Sequence, residues 1–234
     1  MDKLTIFRGI AVGEAEVDST TVRIQTAGLS GTEGSSTYML IDLRPHAEQI
    51  LDNPALYRGA WDRYENFPVV WGCGDAEGAS YYALKHNGGE RVGRVGLLIE
   101  MGLPIDRCFV DCRDFLCTIF QLWDRDGVVA RERVRQAVGH LFGDRALAYF
   151  DRAAATRDQQ ARIAFCNLAA HDIEVVRAHH ANRTCIGGRF GTAFHSAFAV
   201  RAPVLASEIV RVSRANPSAP PCPAVRLPDL LAGG

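Results

Sequence analysis

The first readable pattern lies in "TIFRGIAVGE", residues 5 to 14, where an apolar run meets Arg8 and Gly9, continues, and reaches a turn. That predicts a strand over residues 3–12. In "EAEVDSTTVRIQTAGL" (14–29), Val17, Val22, Ile24 and Leu29 are apolar and Gly28 stands near the end. The segment reads as a short helix closed by a glycine, followed by the turn "SGTEGSS". A short strand is expected over 37–41 and a helix over 45–51, and "DNPALYRGAWDRYENFP" reads as loop.

"PVVWGCG" (68–74) predicts a strand with a glycine-rich exit. "DAEGASYYALKHN" (75–87) predicts a helix that Asp75 caps, with Ala76, Ala79, Tyr82 and Ala83 recurring at helical spacing. Strands follow over 95–101 and 107–111. "FLCTIFQLW" (115–123) fits either period. Residues 128–183 are helical in pattern, with Val129, Val134, Val138, Leu141 and Phe142 on one side of the first helix and Gly143 after it. Ile163, Cys166, Leu168, Ala170, Ile173 and Val176 form a later apolar band. Strands return in "TCIGG", "FHSAFAVRAPV" and "SEIVRV", and the tail "NPSAPPCPAVRLPDLLAGG" reads as lacking a fold of its own or wrapping the surface. The order of strands, helix, strands, helical block and strands argues for an α+β fold with a mixed or antiparallel core.

Composition narrows the classes. The chain has 234 residues, enough for one large domain or two small ones. A net charge of −1 gives no basic excess of the kind nucleic-acid binding brings. No apolar run approaches the roughly 20 residues that span a bilayer, and the N-terminus lacks the pattern of a signal peptide, so a cytoplasmic protein without a membrane partner is expected. Seven cysteines stand at 73, 108, 112, 117, 166, 185 and 222, mostly within apolar runs. That favours reduced, buried thiols. Cys108, Cys112 and Cys117 lack a CxxC pair, and the next histidine is His140, so structural thiols are expected rather than zinc. Neither a G-x-G-x-x-G motif nor a P-loop is present.

Several residues could carry chemistry. Arg8 is either a solvated strand charge or an anion holder at the mouth of a pocket. Trp71, Tyr81 and Tyr82 are either core aromatics or stacking faces. Gly72, Cys73 and Gly74 form a tight turn that could line a pocket. Asp111, Arg113, Asp114, Gln121 and Asp124 flank an apolar run, with Asp111 and Arg113 the foremost site candidates. His195 is either a packed strand histidine beside Phe194 and Phe198 or a site residue. His171, His179 and His180 are spaced as surface or inter-helix residues.

Three segments, taken in order, resemble the NAD-binding core of the ADP-ribosyltransferase superfamily. In the first, "IFRG" matches a strand ending in Arg-Gly or His-Gly, and Ile24, Gly28 and Leu29 match a following "I-x-x-x-G-L" helix. In the second, "VVWGCGDAEGASYYA" resembles the "G-(I/V)-Y-(F/T)" strand and "A-x-x-Y-A" helix, with Trp71 and Tyr82 at the aromatic positions. Their separation of eleven positions is that of the poly(ADP-ribose) polymerase-like branch. In the third, "FHSAFAVRAPVLASEIVRV" resembles the closing strands through Val204 and Ile209.

The resemblance implies a split β-core binding NAD as a substrate, one domain over 1–213 with a helical insertion at about 125–182, and a tail over 214–234. It implies transfer of ADP-ribose to a protein, nucleic acid or small molecule, in a setting that includes bacterial toxins and defence. Arg8, with Gly9, would hold the pyrophosphate or ribose. Trp71, Gly72, Tyr81 and Tyr82 would flank nicotinamide. His195, with Ser196 next to it, falls where the family has its catalytic Glu. The negative charge that a cation-like sugar requires would then come from Asp111, Asp114 or Glu100. An RNA 2′-phosphotransferase shares the core, but the chain begins at the "FRG" strand with no preceding winged-helix segment. A non-catalytic NAD- or ADP-ribose-binding module and an unrelated zinc-holding α+β protein are the other readings.

Overall fold

A computed structural model describes residues 2–31, 68–86, 89–111, 128–155, 159–182, 186–187, 193–194, 197–216 and 225–226. The expected elements over 37–41, 45–51 and 115–123 lie outside these residues. The described residues form two units, one drawing on Pro68–Cys108 and the stretches before residue 32 and after residue 185, the other on Phe109–Asn182.

The α+β class expected from the element order is the class observed. A six-stranded antiparallel sheet runs in the order β10-β5-β1-β2-β9-β6. Its strands are β1 (Lys3–Val12), β2 (Val69–Cys73), β5 (Val95–Pro104), β6 (Cys108–Val110), β9 (Ala197–Arg201) and β10 (Ile209–Arg214). β1 and β5 are in register over their whole length, Lys3 opposite Pro104 and Val12 opposite Val95. That pairing carries β5 three residues beyond the predicted end. β10 is an edge strand whose register shifts between Ile209 and Arg211.

Helix α1 (Val17–Ala27) follows a 3-10 turn at Glu14–Glu16. Val17 and Ile24 are its buried residues. Gly28 ends it at φ 74, in the left-handed region that glycine enters without a Cβ penalty. Leu29 then exchanges two backbone hydrogen bonds with Val204, each 2.8 Å long. This tie joins the first and last thirds of the sequence.

Helix α2 (Ala76–Leu84) is capped by Asp75, whose carboxylate accepts from the Gly78 amide at 2.5 Å. The helix expected over 75–87 stops at Leu84. Lys85 turns extended, and β3 (Lys85–His86) pairs with β4 (Gly89–Glu90). Asn-Gly between these strands is a strong hairpin sequence, and it outweighs the helical run before it.

In the 197–214 region, Arg107 organises the chain. Its guanidinium donates to Glu208 at 2.6 Å, to the Arg201 carbonyl at 2.7 Å and to the Pro203 carbonyl. Glu208 also accepts from the Leu205 amide and closes a 3-10 turn at Ala206–Glu208. The strand expected over 207–212 therefore starts at Ile209. A second sheet holds β7 (Ile186–Gly187), β8 (Ala193–Phe194) and β11 (Val225–Arg226), with β11 parallel to β7. The tail, read as lacking a fold of its own or wrapping the surface, thus supplies a strand.

The second unit holds the helices expected over 128–183: α3 (Val128–Phe142), α4 (Asp144–Ala155), α5 (Gln159–His171) and α6 (Ile173–Ala181). Its core includes Val134, Val138, Phe142, Tyr149, Phe150, Phe165, Leu168 and Val176. Asp172 ties α4 to α6: it caps α6, accepts from the Tyr149 hydroxyl at 2.5 Å and pairs with Arg145 at 2.8 Å. His179, stacked on Phe142 at 4.7 Å, points Nδ1 at the Leu141 carbonyl, 3.2 Å away. Among the described residues, no helix is long and apolar enough to cross a membrane, and no group of three or more metal-ligating side chains is set for a metal ion.

Candidate functional site

The site grows from the alternation along β1. A Cβ built on Gly9 falls 1.8 Å from the Ala79 carbonyl oxygen, so Gly9 lies directly beneath α2. Residues of the other parity face the opposite way. These are Leu4, Ile6, Arg8, Ile10 and Val12; Ile10 and Val12 pack with Val17 and Leu97. Arg8 is the one cation in an otherwise apolar row. The alternation is visible in the sequence and is the signal that marks Arg8 as more than an edge charge.

Arg8 lies where the sheet is weakest. β2 is in register with β9 along its length, as β1 is with β5, but β1 and β2 share a single registered pair, Phe7 and Cys73. Across this seam Arg8 Nη1 donates to the Trp71 carbonyl oxygen at 2.9 Å. Gly72 lets the strands approach: a Cβ there would fall 2.5 Å from Ile6 Cγ2 and 2.9 Å from the Phe7 carbonyl oxygen. Arg8, Trp71 and Gly72 are therefore neighbours in space.

The electrostatics are unusual. Burial lowers the pKa of Arg8 from its ordinary value, and nearby Cys73 acts in the opposite sense. Among the described residues no carboxylate pairs with Arg8, whose hydrogen-bond partner is a neutral carbonyl. A desolvated charge without a counter-ion is costly, and an anion supplied from outside relieves that cost.

The other named residues are spread around this point. Tyr81 and Tyr82 are half-buried on α2, edge to face at 6.2 Å, with Lys85 Nζ 5.8 Å from the Tyr81 ring centre. Helix α2 covers the face of β1 that carries Gly9, so the tyrosines and the Arg8 side chain start from opposite faces. Glu100 is opposite Phe7 in register and pairs with Arg211 at 3.3 Å. Asp111 is buried just past β6, in the second unit. Cys73 is a buried thiol. Arg113, Asp114, Gln121, Asp124, His195 and Ser196 lie outside the described residues.

The first and third segments of the resemblance meet directly. Gly28 is packed so closely on the closing segment that a Cβ would fall 2.0 Å from the Val204 oxygen, and Leu29 and Val204 are the bridged pair.

No protein-family model matches the chain, and neither the curated proteins nor the solved structures contain a match to it.

Proposed function

We propose that the chain is an NAD-consuming enzyme of the ADP-ribosyltransferase type, which cleaves the bond between nicotinamide and ribose and passes ADP-ribose to an acceptor. The observation that carries this reading is Arg8, a half-buried guanidinium in an apolar row that has no carboxylate partner among the described residues. A diphosphate supplies the missing negative charge, and the planar fork of arginine matches its oxygens. Leu29 and Val204, which belong to the first and third segments of the resemblance, are bridged.

Each role follows from the chemistry. Breaking the glycosidic bond builds positive charge on the ribose, which fixed negative charge stabilises. The sequence offers Asp111 as the carboxylate for that task, with His195 and Arg113 as the other catalytic candidates. The resemblance assigns the nicotinamide ring to Tyr82 and Trp71, although helix α2 carries Tyr82 on the face of β1 opposite Arg8.

Incubation with NAD, with and without cell extract, tests the reading through chromatographic detection of free nicotinamide. Absence of release at high protein concentration and long incubation sinks it. One observation favours a binding module instead: Glu100, the carboxylate nearest to Arg8 in register, is already engaged by Arg211. A thermal shift with ADP-ribose and no nicotinamide release would identify that case. Ligand at 100 times its dissociation constant adds about 2.7 kcal/mol.

A further inference from the structure

The six-stranded sheet is two ladders joined at a seam. β10, β5 and β1 are paired in one ladder, and β2 is paired with β9 in the other. Between the ladders, backbone register is confined to Phe7 and Cys73. Beyond that pair, toward Val12 on one strand and Val69 on the other, the Arg8 side chain reaches across to Trp71.

We propose that the Arg8–Trp71 hydrogen bond is a latch across this seam, and that a phosphate-type anion opens it by drawing the guanidinium away from the carbonyl. The physical case is a competition for one donor. The Trp71 carbonyl is neutral and leaves the charge of Arg8 unanswered, whereas a phosphate oxygen accepts a charge-assisted, bidentate pair that is roughly twice as strong as a neutral bond. A ligand shifts a conformational equilibrium only by its differential affinity for the two states. Here the latched state spends Nη1 on the sheet and the open state offers it to the anion. Release leaves Phe7 and Cys73 as the registered backbone link, so the segments Arg8–Val12 and Val69–Gly72 separate more readily. The ladders on either side keep their own pairing. The anion half of this inference rests on the reading of Arg8 as a diphosphate holder; the latch half does not.

Hydrogen exchange measured by mass spectrometry on the full chain tests both halves. The seam peptides cover Arg8–Val12 and Val69–Cys73, and Leu97–Leu103 in β5 is the internal reference. Without ligand, Arg8→Met is expected to speed exchange at the seam about tenfold or more and to leave the reference unchanged. Saturating inorganic pyrophosphate is expected to do the same to the parent chain and to add nothing to Arg8→Met. Should Arg8→Met fail to fold, Arg8→Gln also removes the fork and carries the same expectation. Unchanged seam exchange in the variant overturns the latch. A faster seam in the variant, with a parent seam that pyrophosphate leaves alone or protects, overturns the coupling. Nicotinamide release is read separately: release without seam movement sinks only the latch, and seam movement without release sinks only the transferase reading.

Discussion

Arg8 donates to the carbonyl oxygen of Trp71 at 2.9 Å, across a seam where β1 and β2 share a single registered pair. An arginine there adds little to the core, because the row it interrupts is apolar. Methionine fits such a row without the desolvation cost of a charge. Arg8→Met is therefore expected to stay within about 1 kcal/mol of the parent in unliganded stability, while losing any NAD- or pyrophosphate-induced shift in melting temperature. Paired thermal melts check both statements. A clear drop in unliganded stability would make Arg8 a structural residue.

The packing of α2 on β1 is intolerant of a single methyl group. Gly9→Ala places a Cβ 1.8 Å from a backbone oxygen that no rotamer change can move. A loss of about 3 kcal/mol or more is expected in urea unfolding. Gly102→Ala is the control, because its Cβ meets Val210 at an ordinary 3.5 Å, and it is expected to stay within about 0.5 kcal/mol of the parent.

Arg107 holds the segment that leads into β10 through Glu208 and two carbonyls. The pair is only partly exposed, at 23% and 12% of the side-chain surfaces. Arg107→Met is expected to cost about 2 kcal/mol and to speed amide exchange over residues 202–209. Unaltered exchange there would show that the clamp is dispensable.

His179 makes the helical unit sensitive to acid. Burial lowers its pKa from 6.5 to about 4, with His180 acting in the same sense and the hydrogen bond to Leu141 opposing it. Above pH 6.5 the ring is neutral whether the chain is folded or unfolded. Between 6.5 and 4 the unfolded chain takes up a proton that the fold refuses, so stability is lost as pH falls through this window. The full loss is about 3 kcal/mol. His179→Gln should flatten this part of the profile, measured by urea midpoints from pH 7.5 to 4.5. Parallel profiles for the two proteins would remove His179 as the cause.

Cys108 is buried, and burial pushes its thiol pKa up to about 12. Only the thiolate is nucleophilic. Brief iodoacetamide treatment of the native protein at pH 8 should leave Cys108 unmodified, and mass spectrometry should find it alkylated after unfolding. Labelling in the native state would contradict the buried thiol.

Local pattern carried much of this fold. The strand over 3–12, the helix that Gly28 closes and the helical block after 128 follow from periodicity and punctuation within a few residues of each element. The departures come from partners far away in sequence. β5 reaches Pro104 because β1 lies beside it, Ile209 rather than Ser207 opens β10 because Glu208 is held by Arg107, and Val225–Arg226 becomes a strand because β7 offers it an edge. The site shows the same division. Arg8 was legible as a candidate, either a solvated strand charge or an anion holder, and the strand places it in an otherwise apolar row. The seam beside it was not, because register between β1 and β2 is a property of two segments some sixty residues apart.

The bridge between Leu29 and Val204 also sets a timetable for synthesis. α1 leaves the ribosome early, but the backbone that bridges the end of its segment is among the last parts of this unit to be made. β10, the partner of β5 along one edge, comes later still. The helices between Val128 and Ala181 rely on nearby neighbours and can form while the sheet waits. A nascent chain stalled before residue 200 therefore lacks β10, and the β5 edge left open needs protection until β10 arrives.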